Sequence, residues 1–208
     1  DYYDPGIKRA NLAGASEHHS FRLVEGDIRD RDCLEKLFSE KRFDGVVHMA
    51  ARAGVRPSIT DSEPYVDVNI KGTINLLEAG RKAGVQRFVL ASSSSVYGVG
   101  TEAPFQEDAL SDRQVSPYAA SKRAMEHFAR TWHELYGLDV SCLRYFTVYG
   151  PRQRPEMAIH RFTRNMFEGR PIEIFGDGST SRDYTYIDDI VNGLVNGLDL
   201  VYGYEVIN

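Results

Sequence analysis

A chain of 208 residues is long enough to bury a substantial core as one domain, or as one domain and part of a second. Its hydrophobic fraction of 42% and charged fraction of 26% are those of a globular protein, and no apolar run approaches the length of a membrane span. The net charge of −5 is spread along the chain without a dense basic stripe, which argues against a nucleic-acid surface and leaves room for a local arginine pocket for a small anion.

The opening "DYYDPGIKRANLAGASEHHS" reads as polar and loop-like. "FRLVEGDI", residues 21–28, is expected as a strand, and a helix is expected from about Asp30 with Leu34, Leu37 and Phe38 on one face. "DGVVHMAA" (44–51) predicts a second strand. A long helix then runs through "YVDVNIKGTINLLEAGRKAG" and stops at Gly84, as a C-terminal cap would. "VQRFVLASS" is a third strand, a helix spans about Pro117 to Tyr136 before Gly137, and "DVSCLRYF" is a fourth strand. This alternation implies a doubly wound parallel sheet, covered on both faces, that binds ligands at the carboxyl ends of its strands. Past Gly150 proline, glycine and arginine become dense, so a boundary is expected there. Residues 1–150 would form the doubly wound domain and 151–208 the start of a smaller mixed segment, with the helix "DDIVNGLVNGL" packing back on the sheet. The final "YGYEVIN" reads as a strand just begun, and both ends read as cuts through a fold. Cys33 and Cys142 lie far apart in apolar segments and are expected as reduced core thiols of a cytoplasmic protein. No signal peptide and no metal site is expected.

The stretch "ASSSSVYG" places four hydroxyls where the third strand ends, the ligand-facing position of such a sheet. Tyr118 and Lys122, in "SPYAASK", stand four apart on a predicted helix and share one face. A phenol titrates near pH ~10, so it is a poor base until a nearby ammonium favours the phenolate. Such a pair can take a proton from a substrate hydroxyl while a hydride leaves the same carbon. A bare Tyr-x-x-x-Lys spacing also arises by chance on helices; the hydroxyl cluster gives it context, since Ser93 can hydrogen-bond the same substrate oxygen. Ser93, Tyr118 and Lys122 together form a candidate proton-transfer triad.

The ordered series "GDIRD", "VVHMAA", "NIKGTINLLEA", "SSSSVYG", "SPYAASK", "LRYFTVYGPRQRP" and "RDYTYIDDI" resembles the extended short-chain dehydrogenase/reductase superfamily over essentially the whole chain. Within it, the chain is most similar to the nucleotide-sugar 4-epimerases. The resemblance implies a Rossmann-like domain with bound NAD, a UDP-sugar substrate, and a homodimer formed through the helices at 62–83 and 117–136. It also implies oxidation of the sugar at C4 to a ketone, rotation of that intermediate, and return of the hydride to the other face. By the same resemblance Tyr118 is the catalytic base, Lys122 its partner and a holder of the nicotinamide ribose, and Ser93 the catalytic hydroxyl. Asp27 and Ile28 match the pair bracketing the adenine, and Ala50, Ala51 and Arg52 match the loop over the cofactor phosphates and ribose. Asn69 matches a residue behind the site, and Ser92 and Tyr145 join the cofactor set. Arg182 matches the arginine that takes the UDP diphosphate, where a guanidinium fork suits phosphate oxygens.

The two positions before Val-Tyr-Gly discriminate among relatives. Related sugar dehydratases typically carry Asp and Glu there, and UDP-glucuronate decarboxylases a Glu just before the Val; here Ser94 and Ser95 supply no carboxyl acid. That implies epimerisation without elimination or decarboxylation. Thr147 replaces the Asn usual in glucose and galactose epimerases and, with "MAARAGVRPS", "GPRQRPEMA" and the "YYDP" opening, resembles the UDP-glucuronate 4-epimerases. Ser94, Ser95, Thr147 and Arg154 are then the implied donors to the substrate carboxylate, with Arg56 a weaker candidate. The family's Gly-x-x-Gly-x-x-Gly turn, an acidic residue after the second strand, and roughly its last third do not appear. These 208 residues alone are therefore expected to bind NAD poorly and to turn over slowly or not at all. A UDP-glucose/UDP-galactose 4-epimerase, an NAD(P)-dependent reductase and a non-catalytic Rossmann nucleotide sensor stay open as alternatives.

Overall fold

The computed structural model describes residues 2–109, 112–174, 176–179 and 181–208. Its strands are β1 (Gly45–His48), β2 (Arg87–Ser93), β3 (Asp139–Tyr145), β4 (Thr147–Tyr149), β5 (Tyr184–Tyr186) and β6 (Tyr204–Ile207). Its α-helices are α1 (Pro5–Ser16), α2 (Arg31–Glu40), α3 (Val55–Thr60), α4 (Glu63–Tyr65), α5 (Gly72–Lys82), α6 (Pro117–Tyr136), α7 (Ala158–Phe167) and α8 (Ile187–Asp199). A π-helical turn, Val66–Lys71, joins α4 to α5, and a 3-10 turn, Ser94–Tyr97, follows β2.

Contacts divide the chain into two compact units. One is Gly26–Phe146 with Val191–Asn208; the other comprises residues up to Glu25 with Thr147–Ile190. The first holds a wholly parallel sheet in the order β1-β2-β3-β6. β2 and β3 are the inner strands, and their runs are almost continuously buried, as strands covered on both faces must be. Alternation along β3 shows which helices do the covering. Val140 and Cys142 enter the core with Leu34 and Phe38 of α2, Leu76 and Leu77 of α5, and Met125 and Ala129 of α6. Ser141 points the other way, and its hydroxyl donates to the Gly197 carbonyl of α8 at 2.7 Å. The last turns of α8 thus pack back on the sheet, as the "DDIVNGLVNGL" pattern predicts.

Local chemistry sets the ends of α6. The Ser116 side chain accepts the Ala119 N–H, Pro117 opens the first turn, and Gly137 closes the helix at φ 69°, a left-handed conformation that glycine adopts without a Cβ clash. The expected bounds of this helix and the expected strands at β1, β2, β3 and β6 therefore hold.

Other expectations need correction. Residues 21–28 form no strand: Phe21, Leu23 and Val24 are exposed, and the ladder of β1 is with β2. Apolar alternation cannot make a strand without a neighbour to take its backbone groups. The opening is not a loop but α1, started by Asp4 accepting the Gly6 N–H and by Pro5 in the first turn. It buries none of its residues, so the hydrophobic pattern carries no trace of it. The long helix expected through Gly84 is broken by the π-helical turn, and α7 arises within the proline- and arginine-rich stretch once Pro155 is passed.

Gly80 marks how tightly α5 meets the sheet, since an added Cβ would lie 2.7 Å from Cζ of Phe88. Gly80→Ala is expected to cost about 1–3 kcal/mol, because the buried ring must leave its rotamer. A urea titration checks this by a lower midpoint at unchanged slope.

Candidate functional site

Lys122 is buried on α6, and its Nζ donates to the Ala91 carbonyl of β2 at 2.6 Å. Burial lowers its pKa from 10.5 to about 8, against the opposing pull of the Glu126 carboxylate. The ammonium therefore persists at neutral pH. Between pH 8 and 10.5 the unfolded chain holds more protons at this site than the folded one, so its contribution to stability rises with pH across that window.

His48 closes β1 and is also buried, with Nε2 2.9 Å from the Thr73 hydroxyl. That hydroxyl donates to the Asn69 carbonyl at 2.6 Å, so Nε2 must carry the hydrogen and donate. Burial, with the charge of Lys122, lowers the imidazole pKa from 6.5 to about 4. The group is neutral at pH 7, and the stability tied to its neutrality is lost as pH falls from 6.5 to 4.

Tyr118 lies one helical turn before Lys122, half-buried, with its ring edge-on to Tyr65 at 6.2 Å between centres. At the end of β2, the Ser93 oxygen accepts the Ser95 N–H (3.2 Å) and donates to the Ser95 hydroxyl (3.1 Å), capping the 3-10 turn that holds half-buried Ser94 and Ser95. Ser92 donates its hydroxyl to Glu126 at 2.5 Å. Tyr145 pairs with Ser93 in the β2–β3 register, and burial pushes its phenol up to about 12. The fold thus gathers Ser92, Ser93 and Tyr145 at adjoining strand ends and stands Tyr118 and Lys122 on the helix packed against β2.

Two asparagines hold the loops expected at the cofactor. Asn69, in the π-helical turn, accepts the Arg52 N–H (2.7 Å) and donates to the Arg52 carbonyl (3.0 Å) and the Ser121 hydroxyl (2.9 Å). Its role is to fasten the Ala50–Ala51–Arg52 loop to α6. The Tyr65 hydroxyl, shared between the Ala53 and Gly54 carbonyls, anchors the same loop further on. Asn75, on α5, donates to the carbonyls of Ile28 and Arg29 at 3.2 Å and accepts from Arg31 at 2.8 Å. Ile28 packs over Gly72, where an added Cβ would lie 2.6 Å from its Cδ1. Asp27 is exposed, and the Arg29 guanidinium beside it holds its carboxyl below the usual range.

Thr147, Arg154 and Arg182 belong to the other unit. Thr147 opens β4 and its N–H donates to the Asp183 carbonyl at 3.3 Å. Arg154 is half-buried, 3.3 Å from Glu156 and 5.1 Å above the Tyr2 ring; Arg182 is exposed and donates to the Ser181 carbonyl. A cavity of about 470 Å³ between the β4–α7 loop and α7 is lined by Gln153, His160, Arg164 and Phe167 among others, and by none of the expected site residues.

Asn75, Tyr65, Glu126 and Arg144 escape a motif-based reading. A signal existed for the last two: an arginine inside the apolar "SCLRYF", and a glutamate four residues after Lys122 on the same helical face. Removing the Asn69 amide deletes its bonds to both backbone groups of Arg52 and to the buried Ser121 hydroxyl. Asn69→Ala is expected to cost about 1–3 kcal/mol, read as a lower urea midpoint.

Residues 5–208 match the NAD dependent epimerase/dehydratase family. The chain is 47% identical over 208 residues to the UDP-glucuronate 4-epimerase of Thermodesulfobacterium geofontis, covering all of this chain and 64% of that protein. It is 48% identical over 203 residues to UDP-glucuronate 4-epimerase 3 of Arabidopsis thaliana, covering 96% of this chain and 47% of that protein. Among solved structures, the UDP-glucuronic acid 4-epimerase from Bacillus cereus, in complex with UDP-glucuronic acid and NAD, superposes with a TM-score of 0.88 at 40% identity, over 98% of this chain and 65% of that one. The DesIV dTDP-glucose 4,6-dehydratase double mutant from Streptomyces venezuelae, with NAD and DAU bound, superposes with a TM-score of 0.87 at 35% identity, over 96% and 62%. The chain spans less than two thirds of the length of each of these relatives. Its parallel sheet is the expected Rossmann-like fold, and NAD is the cofactor in the family's name and in both solved neighbours. With the fold, the match over residues 5–208 and these identities in agreement, the chain belongs to the NAD dependent epimerase/dehydratase family.

Proposed function

We propose that the protein is a cytoplasmic, homodimeric UDP-glucuronate 4-epimerase that oxidises its substrate transiently at C4 and returns the hydride without facial preference. The observation that carries this reading is the buried ammonium of Lys122, fixed on the Ala91 carbonyl one helical turn from Tyr118 and two residues before Ser93. A cation held in a dry place is what a phenol needs to act as a base near neutral pH. Tyr118 takes the C4 hydroxyl proton as that carbon is oxidised to the ketone and returns it on reduction, and Ser93 orients the oxygen. NAD, when bound, supplies the hydride acceptor and donor.

The residues present fit that group. Asn75 and Asn69 pin the Asp27–Ile28 and Ala50–Arg52 segments, so their backbone is already ordered for a dinucleotide. Lys122 supplies a charge for the ribose hydroxyls, and Tyr145 sits beside Ser93 on the next strand. The cofactor portion of this reading covers residues 1–150 and the UDP-sugar portion 151–208. Ser94, Ser95, Thr147 and Arg154 would take the substrate carboxylate and Arg182 the diphosphate. Support for glucuronate comes from the hydroxyls at Ser94 and Ser95, where a carboxyl would favour elimination or decarboxylation, and from identity of 46–48% to six Arabidopsis UDP-glucuronate 4-epimerases. Pairing through 62–83 and 117–136 is expected to give a dimer mass by light scattering.

The substrate is tested with the full-length protein, NAD, and either UDP-glucuronate or UDP-glucose, following anomeric proton signals by NMR. UDP-galacturonate from the first, with UDP-glucose unchanged, is the expected result; conversion of UDP-glucose instead would overturn the carboxylate pocket and keep the triad. Tyr118→Phe is expected to lower kcat by roughly 10²–10⁴-fold with folding intact. Because Tyr118 depends on a charged Lys122, kcat should also fall as pH rises through about 8, measurable as an alkaline limb in the pH–rate profile.

A further inference from the structure

Glu126 follows Lys122 by one turn on α6 and is 1% exposed. Its carboxylate receives hydrogen bonds from the Ser92 hydroxyl (2.5 Å), Arg144 Nε (3.0 Å) and Nη2 (2.9 Å), and Arg123 Nη1 (2.8 Å). Arg144, on β3, is 2% exposed. Its Nη1 donates to the Tyr97 hydroxyl (3.0 Å) and the Glu107 carbonyl (2.9 Å), and the Tyr97 hydroxyl donates on to Asn208 (2.6 Å). Burial pushes the Glu126 carboxyl up, but its bonds from Arg144 and Ser92 outweigh this, and the group stays ionised.

A buried ion pair is a poor source of stability, because desolvation of both charges offsets their attraction. Its value lies in fixed geometry, and what it fixes here is specific. Ser92 precedes Ser93, Arg144 precedes Tyr145, and Glu126 shares a helical face with Tyr118 and Lys122. The network reaches every element that carries the candidate triad.

Resting on the epimerase reading, we propose that Glu126 and Arg144 are positioning residues that lock the ends of β2 and β3 to α6 and so set Ser93 and Lys122 for proton transfer. Charge acts in the same direction. The titratable groups facing Lys122 are His48 from β1, Cys142 from β3 and Glu126 from its own helix, and β2 offers the Ala91 carbonyl. Burial keeps His48 neutral, its pKa lowered to about 4, and holds the Cys142 thiol protonated, its pKa raised to about 12. At neutral pH Glu126 is the charged member of this set; Arg123 and Arg144 pair with it, and its negative charge favours the ammonium.

The test is Glu126→Gln in the full-length protein, with kcat, KM and the pH–rate profile measured on UDP-glucuronate. We expect kcat to fall roughly 10- to 100-fold with little change in KM, as a small misplacement of reacting groups does. The alkaline limb should move to lower pH, because Lys122 loses its anionic neighbour; a purely structural role would not move it. Should that variant fail to fold, the Glu126→Met/Arg144→Leu pair removes both charges at similar volume and is expected to show the same fall in kcat, with a smaller shift of the alkaline limb because an anion and a cation leave Lys122 together. Either variant, folded and holding NAD with the unaltered kcat and alkaline limb, overturns the inference, as does failure of both to fold. The unaltered protein separates the two readings. If it converts only UDP-glucose, the substrate assignment fails and the network is measured with that sugar; if it converts neither, both fail.

Discussion

A parallel sheet ends every strand on the same side, and past the last ladder bond the chain still carries N–H and C=O groups that need partners. The structure meets this demand with side chains from the covering helices. Asn69 takes both backbone groups of Arg52 after β1 and Lys122 takes the Ala91 carbonyl in β2; Asn75 does the same for the Ile28 and Arg29 carbonyls, which follow no strand. The Glu126–Arg144 pair ties β2 and β3 to the same helix. The loops where a doubly wound fold receives its ligand are therefore held by side chains of the covering helices. The amides sit where the helices can reach: Asn69 in a π-helical turn, which widens the helix locally, and Asn75 on the buried face of α5.

The same arrangement determines the electrostatics. A lysine buried among neutral groups holds its proton weakly, and Lys122 is surrounded by a neutral imidazole, a protonated thiol and a backbone carbonyl. One carboxylate, Glu126, works against that tendency and is itself held ionised by Arg144. The resulting ammonium is charged at neutral pH yet poorly solvated, and in the proposed mechanism its field would act on the Tyr118 phenol with little screening. The contacts that order the strand ends thus also set the charge state of Lys122.

Much of this was legible in the sequence because its signals are local. The Tyr118–Lys122 spacing, the Pro117 start and Gly137 stop of α6 and the apolar runs of β2 and β3 need no distant partner to be read. What escaped depends on contacts made elsewhere. Residues 21–28 have a strand-like alternation but no ladder, and α1 has caps but no buried face. Asn69 and Asn75 look like ordinary helix polar residues until the loops they hold are seen 17 and 46 or 47 positions away. Arg144 and Glu126 were visible as charges in apolar settings, but their pairing across 18 positions was not.

The measurement that reaches furthest into this account is hydrogen exchange at the Arg52 backbone amide. Arg52 lies in an exposed loop, yet its N–H donates to a side chain that is 1% exposed. If buried helix side chains hold the strand-end loops, this amide exchanges on the slow timescale of the β2 amides. Exchange as fast as that of an unstructured loop would contradict the account at its centre.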